Sequence, residues 1–139
     1  MSEMPDRLNI DKKDRELYKI LDLEEIVKFK DNGGTRTRRE QFIFAMAYGF
    51  NNGVKRPLNT TEGFVLEKDL HKEDYALLDA IAIYDTDSVE VLADRKAVFK
   101  IAEEYAHAGI MLLSDKIKSS QLGLYEKELE KALFEIFSK

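Results

Sequence analysis

Residues 37–50 read Thr-Arg-Arg-Glu-Gln-Phe-Ile-Phe-Ala-Met-Ala-Tyr-Gly-Phe, the densest apolar run of the chain. At about 100° per residue, Phe42, Ile43, Phe44, Met46, Tyr48 and Phe50 point to all sides of a helix. A helix that is apolar all round is buried all round. Thr37 and Glu40 have capping-box spacing, in which the hydroxyl accepts from the Glu40 amide and the carboxylate reaches back to the Thr37 amide. Asn51-Asn52-Gly53 closes the run, with Gly53 suited to the position just past a helix end. This segment is therefore predicted to be the central helix of the fold.

The flanks supply the layers around it. Residues 1–9 are polar and expected to be loose. Asp11 is read as the N-cap of a first helix, whose face is Leu17, Ile20 and Leu21. Leu23–Phe29 fits helix or strand, and Lys30-Asp31-Asn32-Gly33-Gly34 is a break. After the central helix, residues 54–66 read as a loop or small hairpin with Gly63 near the bend. His71–Tyr84 reads as helix through Leu70, Leu77, Leu78, Ile81 and Ala82, and Asp85–Ser88 stops it. Val89–Leu92 fits a helical turn or a short strand. Asp94 is predicted to cap a long helix reaching about Lys118, with Val98, Ile101, Ala102, Tyr105, Gly109 and Leu112 in one stripe. Gly109 costs up to about 1 kcal/mol against alanine in a helix interior, so it implies either close approach of another backbone or a break. Leu122–Phe137 reads as a last helix within a C-terminal helical extension, 119–139. The expected fold is mainly α: one domain over 1–139, a bundle of about five helices around a buried central helix, with room for one small β-hairpin.

Composition sets limits on function. The chain is 44% hydrophobic and 35% charged, a balance that suits helices with ion-paired outer faces and not a disordered chain. It has no cysteine, which excludes disulfides, thiolate metal sites and cysteine nucleophiles. No apolar run approaches the roughly 20 residues of a membrane span, and the first residues have no hydrophobic signal region, so the expected location is the cytoplasm. The net charge is −5, but from Lys28 to Arg56 there are seven basic and two acidic residues, a local surplus of five that leaves −10 on the remainder. The chain thus carries a basic region on an acidic background.

Catalytic signatures are sparse. Glu104 and His107 form a Glu-x-x-His on the long helix, the spacing of carboxylate-bridged metal bundles, but no second copy accompanies it. There is no Gly-x-Ser-x-Gly elbow and no phosphate-binding loop with the required lysine. No catalytic residue, metal site or cofactor is therefore assigned. The candidate binding residues for nucleic acid or a partner are Arg36, Arg38, Arg39, Lys55 and Arg56. Three arginines at a helix N-terminus oppose its dipole, and an anion bound there would relieve the conflict. Phe42, Phe44, Tyr48 and Phe50 read as core and not as a base-stacking platform. The apolar central helix would make a poor groove-reading helix.

Three segments also carry a resemblance: residues 40–58, EQFIFAMAYGFNNGVKRPL; 77–92, LLDAIAIYDTDSVEVL; and 99–113, FKIAEEYAHAGIMLL. In this order the chain resembles a small prokaryotic family associated with Dnd systems, which act in DNA phosphorothioate modification and its linked restriction. The resemblance spans residues 30–113, leaving 114–139 as an apparent addition. It implies an accessory protein near DNA-modifying or DNA-restricting machinery, and it carries packing patterns with no catalytic residues to transfer. The expected function is a non-enzymatic accessory or interaction protein, contacting DNA or an acidic component of such a complex through the basic region. One alternative is a small metal-dependent hydrolase or nuclease using carboxylates and His107. Another is a homodimer whose basic and acidic faces pair.

Overall fold

The computed structural model describes residues 4–23, 38–119 and 131–137. Strand β1 (Arg7–Ile10) leads into helix α1 (Asp14–Leu23). Helix α2 (Arg38–Asn51), strand β2 (Glu62–Leu66), helix α3 (Lys72–Thr86) and helix α4 (Arg95–Ser119) follow. Residues 131–137 are again helical. The mainly α architecture with a small antiparallel pair is as expected. The capping role of Thr37, the 30–34 break, Arg36, the helix-or-strand question for 24–29 and the start of the last helix fall outside the described residues.

The central helix is largely buried, but not on every side as expected: Ile43, Ala47 and Phe50 form a half-buried stripe. Gln41, Phe42, Phe44, Ala45, Met46, Tyr48 and Gly49 are all inside. Its main partner is α4, and the two helices cross through Gly49 and Gly109. A Cβ on Gly109 would lie 1.8 Å from the Ala45 carbonyl oxygen, and one on Gly49 would lie 2.1 Å from that of Tyr105. The helices therefore meet backbone to backbone. Of the two roles open to Gly109, close approach is the one realised, and α4 runs unbroken. Asp94 accepts from the Ala97 amide at 3.1 Å and so caps α4 as read. Val89–Ala93 is a 3₁₀ turn. Asp87, at φ 56°, ends α3 in the left-handed region.

The small sheet differs from the local hairpin expected within 54–66. β2 pairs antiparallel with β1, so its partner comes from the N-terminal segment expected to be loose. Leu8 and Ile10 alternate into the core. The register slips between Leu8, opposite Val65, and Asn9, opposite Gly63. That bulge leaves Phe64 without a partner residue and lets two consecutive side chains, Phe64 and Val65, both face inward. Phe64 then packs on Tyr18 of α1 with ring centroids 4.6 Å apart. The first helix also starts later than read. Asp11 does not cap it as the adjacent residue but sits fully buried ahead of it. At the other end of the chain, Ala132 is buried and the Phe137 ring stacks on Phe44 at 5.9 Å.

Candidate functional site

The segment 54–60 is an exposed strap between α2 and β2, fixed at several points. Gly53, at φ +71°, turns the chain out of α2, and the Val54 amide bonds back to the Gly49 carbonyl at 3.0 Å. The Arg56 amide donates to the Glu104 carbonyl of α4 at 3.1 Å. The Asn59 amide and the Thr60 hydroxyl donate to the two oxygens of Asp11, at 2.8 and 3.0 Å. Burial alone would raise the Asp11 carboxyl. The amides of Lys13 and Asn59 and the Thr60 hydroxyl and amide outweigh it and hold the group at about 2.

The basic residues do not form one patch. Arg36 lies outside the described residues. Arg38 is exposed, its guanidinium 5.0 Å from the Phe64 ring centroid. Arg39 donates to both oxygens of Asp74 at 3.0 Å, and that carboxylate also accepts the His71 amide at 2.8 Å. Arg39 therefore ties the start of α2 to the start of α3. Lys55 donates to Asp85 at 2.8 Å, and Tyr105 donates to the same carboxylate at 2.7 Å. Against the effect of burial, these two bonds keep the Asp85 carboxyl below its usual range. Arg56 is exposed and forms no ion pair among the described residues. Arg38 and Arg56 lie at opposite ends of α2, roughly 20 Å apart along a 14-residue axis.

Arg56 instead lies at the rim of a pocket of about 500 Å³ between the start of α1, the strap and α4. Lys13 is a second cation on its lining, and Leu17, Pro57 and Met111 make its apolar walls. His107 and Asp14 also line it, joined Nδ1 to Oδ2 at 2.6 Å, with only 7% and 2% of their side chains exposed. Burial pushes the Asp14 carboxyl up, against the pull of His107. The Glu104 of the Glu-x-x-His pattern does not pair with His107, and its described role is the backbone bond to Arg56. Among the described residues, no group of three or more His, Cys, Asp or Glu could share a metal ion. Sequence reasoning missed Lys13 and Asp14, because a pairing across 93 positions leaves no local signal.

Glu103, four residues before His107 on α4, accepts the Asn9 amide at 2.7 Å. Burial pushes its carboxyl up to about 7, against the Asn9 bonds. A carboxyl raised in the folded state stabilises most fully below its unfolded value of 4.5, and that contribution is lost as pH rises through about 7. Glu103→Gln is expected to remove this slope and to stabilise the fold by about 2 kcal/mol at pH 8, with little effect at pH 4. Urea midpoints at the two pH values check it, and equal shifts at both would contradict the assignment.

A second groove, of about 470 Å³, lies across the strap. It is lined by Phe50, Tyr84, Tyr105 and the Asn51–Gly53 turn. Tyr84 is 75% exposed and meets Phe50 edge-on at 5.2 Å. Phe50, read as core, is thus half-buried and borders solvent.

Over residues 7–135 the sequence matches the family model described as DNA sulphur modification system-associated protein 4. The chain belongs to this family. The match reaches well beyond the 30–113 span of the resemblance and takes in β1, the pocket residues Lys13, Asp14, Arg56 and His107, and the helical segment through residue 135. Residues 114–135 are therefore part of the family pattern and not an addition to it. No curated protein and no solved structure matches the chain. Membership places the protein in association with a DNA sulphur modification system. Among the described residues, no helix is long and apolar enough to cross a membrane.

Proposed function

We propose that the protein is a non-enzymatic accessory component of the DNA sulphur modification system, contacting DNA phosphates or an acidic partner through its exposed cations. The observation that carries this reading is Arg56, held out on a strap whose backbone is tied to α2, α4 and Asp11, with no counterion among the described residues. A guanidinium displayed on a fixed backbone loses little freedom on meeting a phosphate. Arg38 extends the surface at the far end of α2. Arg39 and Lys55, already paired with Asp74 and Asp85, contribute less than the sequence suggests. The His107–Asp14 pair is the feature a hydrolytic alternative would use to position a base.

Duplex affinity measured across a salt series tests the reading. Arg56→Glu is expected to weaken binding about tenfold and to flatten the salt slope by about one unit, the effect of one phosphate contact. Failure of the unmodified protein to bind duplex at low salt would remove the DNA version. Co-purification with the other components of the system, lost on Arg38→Glu and Arg56→Glu together, tests the acidic-partner version.

A further inference from the structure

The pocket under the strap contains more than a docking surface needs. Two cations from separate segments, Lys13 ahead of α1 and Arg56 on the strap, line one opening, and neither side chain forms an ion pair among the described residues, although the Lys13 charge acts on the neighbouring Asp14. This occurs in a chain whose 27 acidic residues outnumber its 22 lysines and arginines. Beside them, a buried histidine is oriented by a buried carboxylate. Nδ1 of His107 is taken by Asp14, so Nε2 is the ring nitrogen left for a ligand.

We propose that this pocket binds a phosphate monoester of nucleotide size, with Lys13, Arg56 and His107 Nε2 as the partners of its oxygens. A monoester offers one non-bridging oxygen to each of these three partners, where a diester has only two. Lys13 and Arg56 bring two positive charges to the opening, where Asp14 is already engaged by His107 and Asp11 by its own donors. Asp11, behind Asp14, already accepts the Lys13, Asn59 and Thr60 donors and does not face the ligand as a free acceptor. Leu17, Pro57 and Met111 supply apolar walls for a sugar or base, and Asn59 adds a polar group at the rim. A volume of about 500 Å³ is within the range of small-ligand sites. The phosphate can come from a free nucleotide or from the phosphorylated end of a DNA strand. This pocket shares Arg56 with the duplex reading but adds Lys13 and His107 and does not involve Arg38.

The test is a titration of the ¹⁵N-labelled full chain with deoxyadenosine 5′-monophosphate and, as control, deoxyadenosine. A 5′-phosphorylated hexanucleotide and its 5′-hydroxyl counterpart form the second pair. The monophosphate is expected to shift the Lys13, Arg56 and Asn59 amides and the His107 ring, and to bind at least about tenfold more tightly than the nucleoside. Lys13→Glu, a surface change that leaves the core untouched, is expected to weaken it by about tenfold or more. Arg38→Glu should leave nucleotide binding unchanged even where it lowers duplex affinity, which separates failure of one reading from failure of the other. Tighter binding of the phosphorylated strand than of the free nucleotide assigns the site to a DNA end, and equal binding assigns it to the nucleotide. Equal responses to phosphorylated and unphosphorylated probes, absence of shifts at millimolar monophosphate, or insensitivity to Lys13→Glu would overturn the proposal.

Discussion

Gly109→Ala is expected to destabilise the protein by about 3 kcal/mol, the upper range for overpacking a close contact. Alanine should otherwise stabilise a helix interior by about 1 kcal/mol relative to glycine, so a large loss has to come from the crossing itself. The added methyl would sit 1.8 Å from the Ala45 carbonyl oxygen and 2.8 Å from the Gly49 nitrogen. Neither neighbour is a side chain that can rotate away, so α2 and α4 would have to separate. Gly49→Ala should behave alike, since its methyl meets the Tyr105 carbonyl at 2.1 Å. Gly53→Ala is the control: its φ is +71° but nothing lies within 4 Å, so it should cost only about 1 kcal/mol of backbone strain. Urea unfolding of the three variants ranks them, and a Gly109→Ala loss no larger than that of Gly53→Ala would refute the backbone contact.

Asp14→Ala is expected to cost about 3 kcal/mol, because it leaves His107 buried beside an empty acceptor position. The pair lies almost wholly out of water, at 2.6 Å, so removal of one partner strands the other. His107→Ala should also destabilise. The double variant should lose at least about 1 kcal/mol less than the sum of the two single losses, since the second change removes a group already orphaned. A double-mutant cycle from denaturant midpoints measures this coupling, and strict additivity would mean that the two side chains are not held by each other.

What the sequence made legible followed from periodicity and from glycine. The all-round apolar pattern of Phe42–Phe50 announced a central helix, though Ile43 and Phe50 lie on a face that is only half-buried. Gly109, an otherwise unfavourable choice inside a strong helical stripe, announced the crossing. Asp94 and Gly53 marked helix ends through local chemistry, which a short window contains. The features that escaped are those made by distant residues. β1 has only two inward side chains, Leu8 and Ile10, and its partner lies more than fifty positions away. Asp11 resembled a helix cap, but it holds the strap as well as the turn before α1. The arginine cluster was conspicuous by charge, yet charge alone could not reveal that Asp74 and Asp85 take up Arg39 and Lys55. Lys13 and Asp14 gave no signal, because the pocket exists only once α1, the strap and α4 are side by side.

The strap also separates two tasks that most surface loops combine. Its path is held by main-chain bonds at Val54 and Arg56 and by the Asp11 carboxylate at Asn59 and Thr60. Lys55 adds a side-chain tie to Asp85 and Pro57 fixes its own backbone angle, but the Arg56 side chain takes no part in holding the path. A substitution at position 56 can therefore change the charge displayed at the pocket while the main-chain bonds that hold the strap stay in place.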